Sequence, residues 1–305
     1  MNKNIRFLLK FGIGIALFGM LLYKVGIDRI VVVLENIQPV FFAVSFLVFT
    51  FSVFIAGLNV KMMLSPFQQQ ISEKKYWRSY LLSRVSGLLL PGRLGEFTLV
   101  YFLKKENLSF GQGIAAIVAD KIITFVCSGI VGIVALFYFF NVGVAKQAFF
   151  IFLGILFLIS LSFFPFVRSF LSRFILRKYA PHFENFGKTL FSYLKQNFEL
   201  TVLNVILTLL RMVVIAFMAG LMFKAVGVAV PFSLLFLMQS IETLVTMIPL
   251  TVNGLGTKQA VGVYLYGLQG IPPVLVLGKY ILGITIQYVF GLLSFLFFGL
   301  REKNG

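Results

Sequence analysis

The sequence predicts an all-α polytopic membrane protein, and three observations carry that prediction. Hydrophobic residues make up 59% of the 305-residue chain and charged residues only 12%, about half the charged share of soluble domains. The apolar residues fall in runs of about 20, the length at which a helix crosses the hydrocarbon core. The 27 Lys and Arg, against 10 Asp and Glu, lie mainly between those runs, as cytoplasmic loops require. The basic excess therefore reads as anchoring and as contact with anionic headgroups, and no nucleic-acid partner is expected.

Six spans are predicted, over residues 7–25, 40–60, 114–140, 148–167, 200–223 and 277–300. The first follows Lys3, Arg6 and Lys10 and lacks an A-x-A-like cleavage pattern, so it reads as a helix of the protein and not as a signal peptide. The loops 24–39 and 141–146 carry little net charge and are placed outside. The loops 61–78 and 168–195 are rich in Lys and Arg and are placed in the cytoplasm. Aromatic residues interleave the basic ones in the second of these, within a basic segment 168–199. It reads either as an amphipathic segment on the membrane surface or as a solvated connection.

Two further apolar stretches are interrupted. Residues 80–103 contain Pro91, Gly92 and Gly95, and residues 232–266 contain Pro249, Asn253, Gly254 and Gly256. Proline removes a helix hydrogen bond and glycine weakens a helix, so each stretch is predicted to be two half-helices joined at a break. Read as re-entrant hairpins, they divide the chain into two units of one plan, 1–140 and 148–300, in opposite orientation: an inverted repeat within a single membrane domain. The segments "PGRLGEFTLVYFL" and "NGLGTKQAVGVYL" carry the similarity between the halves. The alternative is that both stretches cross fully, giving eight spans. Both topologies leave both termini in the cytoplasm of a cell-membrane protein.

The breaks also carry the candidate chemistry. Gly92 and Gly95 are expected to bare backbone amides at a half-helix N-terminus, where Arg93 adds a full positive charge. Glu96 lies one turn further on. In the second stretch Gly254 and Gly256 mark the break, Thr257 is the expected N-cap and Lys258 is the cation beside the helix start. Two such N-termini converging near the midplane point to an anion as ligand. Arg84, Asp120, Lys121, Arg211, Glu242 and Lys279 also lie within apolar runs, where a charge normally faces a partner or a cavity. Arg84 and Arg211 read as a second basic shell or as members of interhelical ion pairs. Asp120 and Lys121 read either as functional or as the end of a span, and Lys279 reads either as a partnered charge or as one that snorkels to the interface. Glu96, Glu242 and Asp120 are the candidates for charge balance or proton coupling.

Cys127 is the single cysteine and reads as a small buried hydrophobe. His182, the single histidine, lies in the basic loop. No metal site, catalytic triad or cofactor is expected from them, and no P-loop is present.

The pattern Arg84-x-x-Gly87, "LLPGRLGEF", "GIAAIVADKI" and "IPLTVNGLGTKQA" resemble the transmembrane region of the lysylphosphatidylglycerol synthase family, which includes the flippase half of the multiple peptide resistance factor. The resemblance covers nearly the whole chain. It falls on Arg84, Pro91, Gly92, Arg93, Gly95 and Glu96 in the first motif and on Pro249, Gly254, Gly256 and Lys258 in the second. Relatives often carry an arginine and a glutamate after Gly-Leu-Gly, where this chain has Thr257 and Lys258. Many carry an acid-arginine pair where it has Asp120 and Lys121. The chain ends at Gly305 soon after its last apolar run, so lysyl transfer by an appended soluble domain is not expected. The resemblance implies binding or movement of a lipid with an anionic headgroup, in the service of a separate lipid-modifying enzyme. The alternatives are an integral-membrane transferase or hydrolase acting on a lipid phosphate, and a lipid-binding partner that moves nothing.

Overall fold

The structure, a computed structural model, describes residues 3–67, 71–89, 94–103, 110–140, 142–161, 197–248 and 250–299. Pro91, Gly92, Arg93, Pro249, His182 and the basic segment 168–195 lie outside the described residues. The helices are α1 (Lys3–Val25), α2 (Ile27–Glu35), α3 (Pro39–Leu64), α4 (Glu73–Leu89), α5 (Thr98–Leu103), α6 (Phe110–Phe139) and α7 (Val142–Leu161). They continue with α8 (Phe198–Ala225), α9 (Phe232–Met247), α10 (Thr257–Gly267) and α11 (Pro273–Phe298). The protein is an all-α polytopic membrane protein. Helices α3, α6, α7, α8 and α11 are long and apolar enough to cross a membrane, and the apolar part of α1 runs from Phe11 to Val25.

The two interrupted stretches are each divided as expected. Helix α4 ends at Leu89 and a 3-10 turn over Leu94–Phe97 leads into α5, while α9 ends at Met247 and α10 starts at Thr257. Three boundaries differ from expectation. The loop 24–39 contains the helix α2. The fourth span starts at Val142, because Gly143 and Lys146 interrupt its hydropathy without interrupting its backbone. Helix α4 starts at Glu73, inside the segment expected as a basic loop.

Helix α3 packs lengthwise against α8 at the centre, α4 against α11, and α9 against α6. The direction of the central pair follows from its contacts. Gln38 N–H, at the start of α3, donates to the Ala225 carbonyl at the end of α8 (2.9 Å). Asn59 Nδ2, near the end of α3, donates to Thr208 Oγ1 in the first half of α8 (3.2 Å). The two helices are therefore antiparallel. Helices α4 and α11 run antiparallel as well, since Arg78 Nε donates to the Phe298 carbonyl at 3.1 Å and Leu88 lies against Gly291.

Small residues set the spacing between helices, the usual device where lipid removes the hydrophobic drive for association. Trp77 and Tyr80 of α4 sit over Gly57 of α3, Phe152 of α7 over Gly129 of α6, and Tyr280 of α11 over Gly262 of α10. Tyr76, 1% exposed, also donates to the Gly57 carbonyl (2.7 Å), which fixes α4 along α3.

Candidate functional site

Helices α1, α3, α4, α6, α8, α9, α10 and α11 and the two breaks line a cavity of about 240 Å³. Among the described residues, four basic side chains, Arg84, Arg211, Lys258 and Lys279, and two carboxylates, Glu96 and Glu242, line it. Each break supplies one carboxylate cluster. In the first, Glu96 on the 3-10 turn forms an ion pair with Lys121 of α6, and Arg84 Nη1 of α4 lies 3.8 Å from its Oε1. In the second, Glu242 of α9 divides its oxygens. Oε2 meets Lys258 Nζ at 2.9 Å, and Oε1 accepts from Lys279 Nζ at 3.1 Å and from Tyr280 OH at 2.6 Å. In both clusters a carboxylate sits between two cations drawn from the half-helices and the following span.

Lys279 does not snorkel. It is 3% exposed, and besides Glu242 its ammonium lies over the rings of Tyr280, Tyr266 and Phe223, at 4.0, 5.3 and 5.6 Å from their centroids. This cage answers the desolvation of the ammonium with ring faces as well as with the carboxylate. Asp120 is fully buried in the first half of α6. It sits behind the cavity wall, where it meets Lys121 Nζ at 2.9 Å and accepts from Asn204 Nδ2 at 3.2 Å. Asn204 Oδ1 in turn accepts from Thr208. Lys121 thus joins Glu96 on the cavity to this buried network.

Arg211 is placed differently. Its Nη2 donates to Thr124 Oγ1 at 3.3 Å, and among the described residues no carboxylate pairs with it. Among the described residues its guanidinium, which lines the cavity, is hydrogen-bonded to a hydroxyl alone.

The second break corrects one expectation and restricts another. The cap of α10 is Gly256, with φ of 80°, and Thr257 is the first helical residue. The Gly256 amide donates to Gln259 Oε1 at 2.7 Å, because a capping glutamine three residues on is well placed for it. Thr257 Oγ1 instead binds the Gly254 carbonyl and meets Thr251 Oγ1, both at 3.1 Å. The Lys258 amide donates to the Gly254 carbonyl, so two of the amides expected to face an anion are committed within the chain. Gly95, Gly254, Gly256 and Thr257 shape the break without lining the cavity. A Cβ at Gly95 would overlap the Gly87 backbone, so the two arms of the first break touch at glycine on glycine.

Sequence reasoning missed the neutral part of the lining. Ser128, Gln239, Thr243, Asn253 and Gln287 face the same space. A Gln or Ser within a long apolar run was the available signal, and it is easily lost beside arginines.

Comparison with curated proteins and with solved structures gives no match. The family description "Lysylphosphatidylglycerol synthase TM region" matches residues 7–294, which include every described residue that lines the cavity. The two breaks, the clusters around Glu96 and Glu242, and that match identify the chain as a member of the lysylphosphatidylglycerol synthase transmembrane-region family.

Proposed function

We propose that this protein binds a membrane lipid by its anionic headgroup and carries that headgroup across the cell membrane, with the acyl or polyprenyl tails left in the bilayer. The observation that supports this reading is the charge of the cavity: four basic side chains face two carboxylates, and Arg211 has no carboxylate partner among the described residues. Arg84 and Arg211 are the first contacts for the phosphate. Lys258, 27% exposed at its side chain, becomes a third if it leaves Glu242. Glu96 and Glu242 hold the lysines when no lipid is bound and balance charge when one is.

In this reading the chain is two inverted units, 1–140 and 148–300, in keeping with the antiparallel packing of α3 on α8, and the basic loops put both termini in the cytoplasm. Gly92 and Arg93 at the first break and Gly254, Gly256 and Thr257 at the second belong to the moving parts in this scheme. A separate lipid-modifying enzyme supplies or consumes the lipid.

Lipids retained on gently purified protein provide the test. Mass spectrometry of wild type should show one class of anionic lipid enriched over the membrane extract, and Arg211→Gln should lose at least about ten-fold of that enrichment. Proteoliposomes carrying a fluorescent analogue of the enriched lipid should then equilibrate it between leaflets faster than Arg211→Gln proteoliposomes do. Retained lipids that mirror the membrane in both proteins would remove the anion-binding reading.

A further inference from the structure

We infer that the cavity has a second subsite, next to the phosphate position, that takes an uncharged polyhydroxyl group: the lipid's headgroup is a phosphodiester of a sugar-sized polyol and not a cationic, aminoacylated one. This rests on the anion-binding reading above and specifies its substrate.

Ser128 carries the inference. A serine inside a helix ordinarily returns its hydroxyl to a carbonyl three or four residues back, and Ser45, Ser52, Ser83, Ser86, Ser160 and Ser240 all do so. Ser128 does not. Its Oγ is fully buried, lines the cavity and has no hydrogen-bond partner among the described residues. A buried hydroxyl without a partner costs free energy that a ligand hydroxyl would recover. Ser128 lies one turn along α6 from Thr124, the residue that holds Arg211. Ser128 is thus about one helical turn, roughly 5 Å, from the residue whose hydroxyl meets the Arg211 guanidinium. That is the separation between a phosphate and the hydroxyls of a polyol esterified to it.

Three amides complete the subsite. Gln239 is 9% exposed and uses Nε2 on Thr243 Oγ1 at 3.1 Å, which leaves its Oε1 for a donor. Asn253 and Gln287 meet each other only at 3.5 Å, so both retain donors and acceptors toward the cavity. Such a mixture of neutral donors and acceptors suits hydroxyls, which do both. The charges argue against an ammonium in the headgroup. Glu96 and Glu242 are already bound by the chain's own cations, and an added cation would meet Arg84, Arg211, Lys258 and Lys279. Size agrees with a single ring. A cavity of about 240 Å³ lies just below the usual small-molecule range of roughly 300–1,000 Å³, so it holds a phosphate with one sugar-sized group and no tails.

Two short-chain lipids of equal charge separate the terms of this proposal. Dihexanoyl phosphatidylinositol carries a polyol on its phosphodiester, and dihexanoyl phosphatidylethanol carries only an ethyl group. Binding to the purified full-length protein is measured for both by calorimetry or by displacement of a fluorescent lipid. The inositol lipid should bind at least about ten-fold more tightly, because a site built for hydroxyls rejects an analogue that lacks them. Ser128→Ala and Gln239→Leu should each bring that ratio toward one, and Arg211→Gln should weaken both lipids together. Equal affinities in wild type would overturn the polyol subsite and leave the anion site standing. Failure of both lipids to bind saturably would overturn the anion site and the subsite with it. Glycerophosphoinositol, without tails, should bind more weakly than the lipid. Equal binding would keep the polyol subsite but make its ligand a soluble phosphodiester, overturning the lipid headgroup.

Discussion

Glu242 is 3% exposed, and both of its oxygens are taken, one by Lys258 and the other by Lys279 and Tyr280. Replacing it with glutamine leaves two lysine ammoniums close together with no anion between them, one of them in a site that is 4% exposed. An uncompensated buried charge costs about 3–5 kcal/mol, so Glu242→Gln should lower stability by that order. Lys258→Gln should cost about 1 kcal/mol, because Glu242 keeps Lys279 and Tyr280. Thermal unfolding of the two variants in one detergent gives the ranking, and a Lys258→Gln loss equal to that of Glu242→Gln would mean the cluster is not organised around the carboxylate. A second prediction concerns the surface pair of Lys61 and Glu73. A hydrogen bond from the Lys61 ammonium holds the Glu73 carboxyl below its ordinary value of 4.5. A carboxyl with a lowered folded pKa stabilises fully above its unfolded value, and that contribution fades as pH falls through the folded one. The melting-temperature difference between wild type and Glu73→Gln should therefore shrink as pH is lowered from about 7 to about 3.5. It should shrink with added salt too, since Glu73 is 68% exposed at its side chain. Among the ionisable residues, Arg84, Arg211 and Glu242 were legible from the sequence as charges needing a partner or a cavity. The burial of Lys279 was not, because an aromatic cage is assembled from α8, α10 and α11 and leaves no local pattern.

At the scale of elements, the two broken stretches depend on glycine for different reasons. Gly95 brings the 3-10 turn onto the Gly87 backbone, and Gly256 combines a positive φ of 80° with a close approach to α1, where an added Cβ would lie 2.6 Å from the Gly14 carbonyl oxygen. Neither backbone can yield as a flexible side chain would. Gly95→Ala should cost at least about 1–3 kcal/mol as an overpacked contact, and Gly256→Ala at least about 1–3 kcal/mol, the range for backbone held in a disfavoured conformation. Gly12→Ala and Gly154→Ala, where a Cβ meets nothing within 4 Å, should fall within about 1 kcal/mol of wild type. Thermal unfolding of the four variants under one condition tests the contrast, and equal losses at all four positions would count against specific packing at the breaks. The breaks themselves were legible because proline and glycine mark the backbone directly. Helix α2 was not, since Ile30-Val31-Val32-Val33 is a β-branched run of low helix propensity. Its helix is held by tertiary contact with α11.

At the scale of the whole molecule, the antiparallel pairing of α3 with α8 bears on how often the chain crosses the membrane. Gln38 and Ala225 are hydrogen-bonded, so the start of α3 and the end of α8 lie at one face. Six crossings with two re-entrant hairpins put these ends on the same side. Eight crossings put them on opposite sides, with Ala225 in the cytoplasm. The packing of α4 on α11 and of α9 on α6 is also the exchange that two inverted units would make, each lending its first half-helix to the last span of the other. The carboxylates do not fall at matching places in the two halves: residues 1–140 carry Glu96 on the turn, and residues 148–300 carry Glu242 on the half-helix before the break. Cysteine accessibility separates the topologies. In a Cys127→Ser background, Asn36→Cys and Ala229→Cys should react with an impermeant maleimide from outside intact cells. Ser72→Cys and Glu199→Cys should react only after permeabilisation, since the basic residues near α4 place that face inside. Protection of Ala229→Cys together with external labelling of Glu199→Cys would establish eight crossings and dismantle the inverted pair. The two carboxylate clusters would then lose their relation by symmetry, and the cavity between them would have to be explained as a single-sided site.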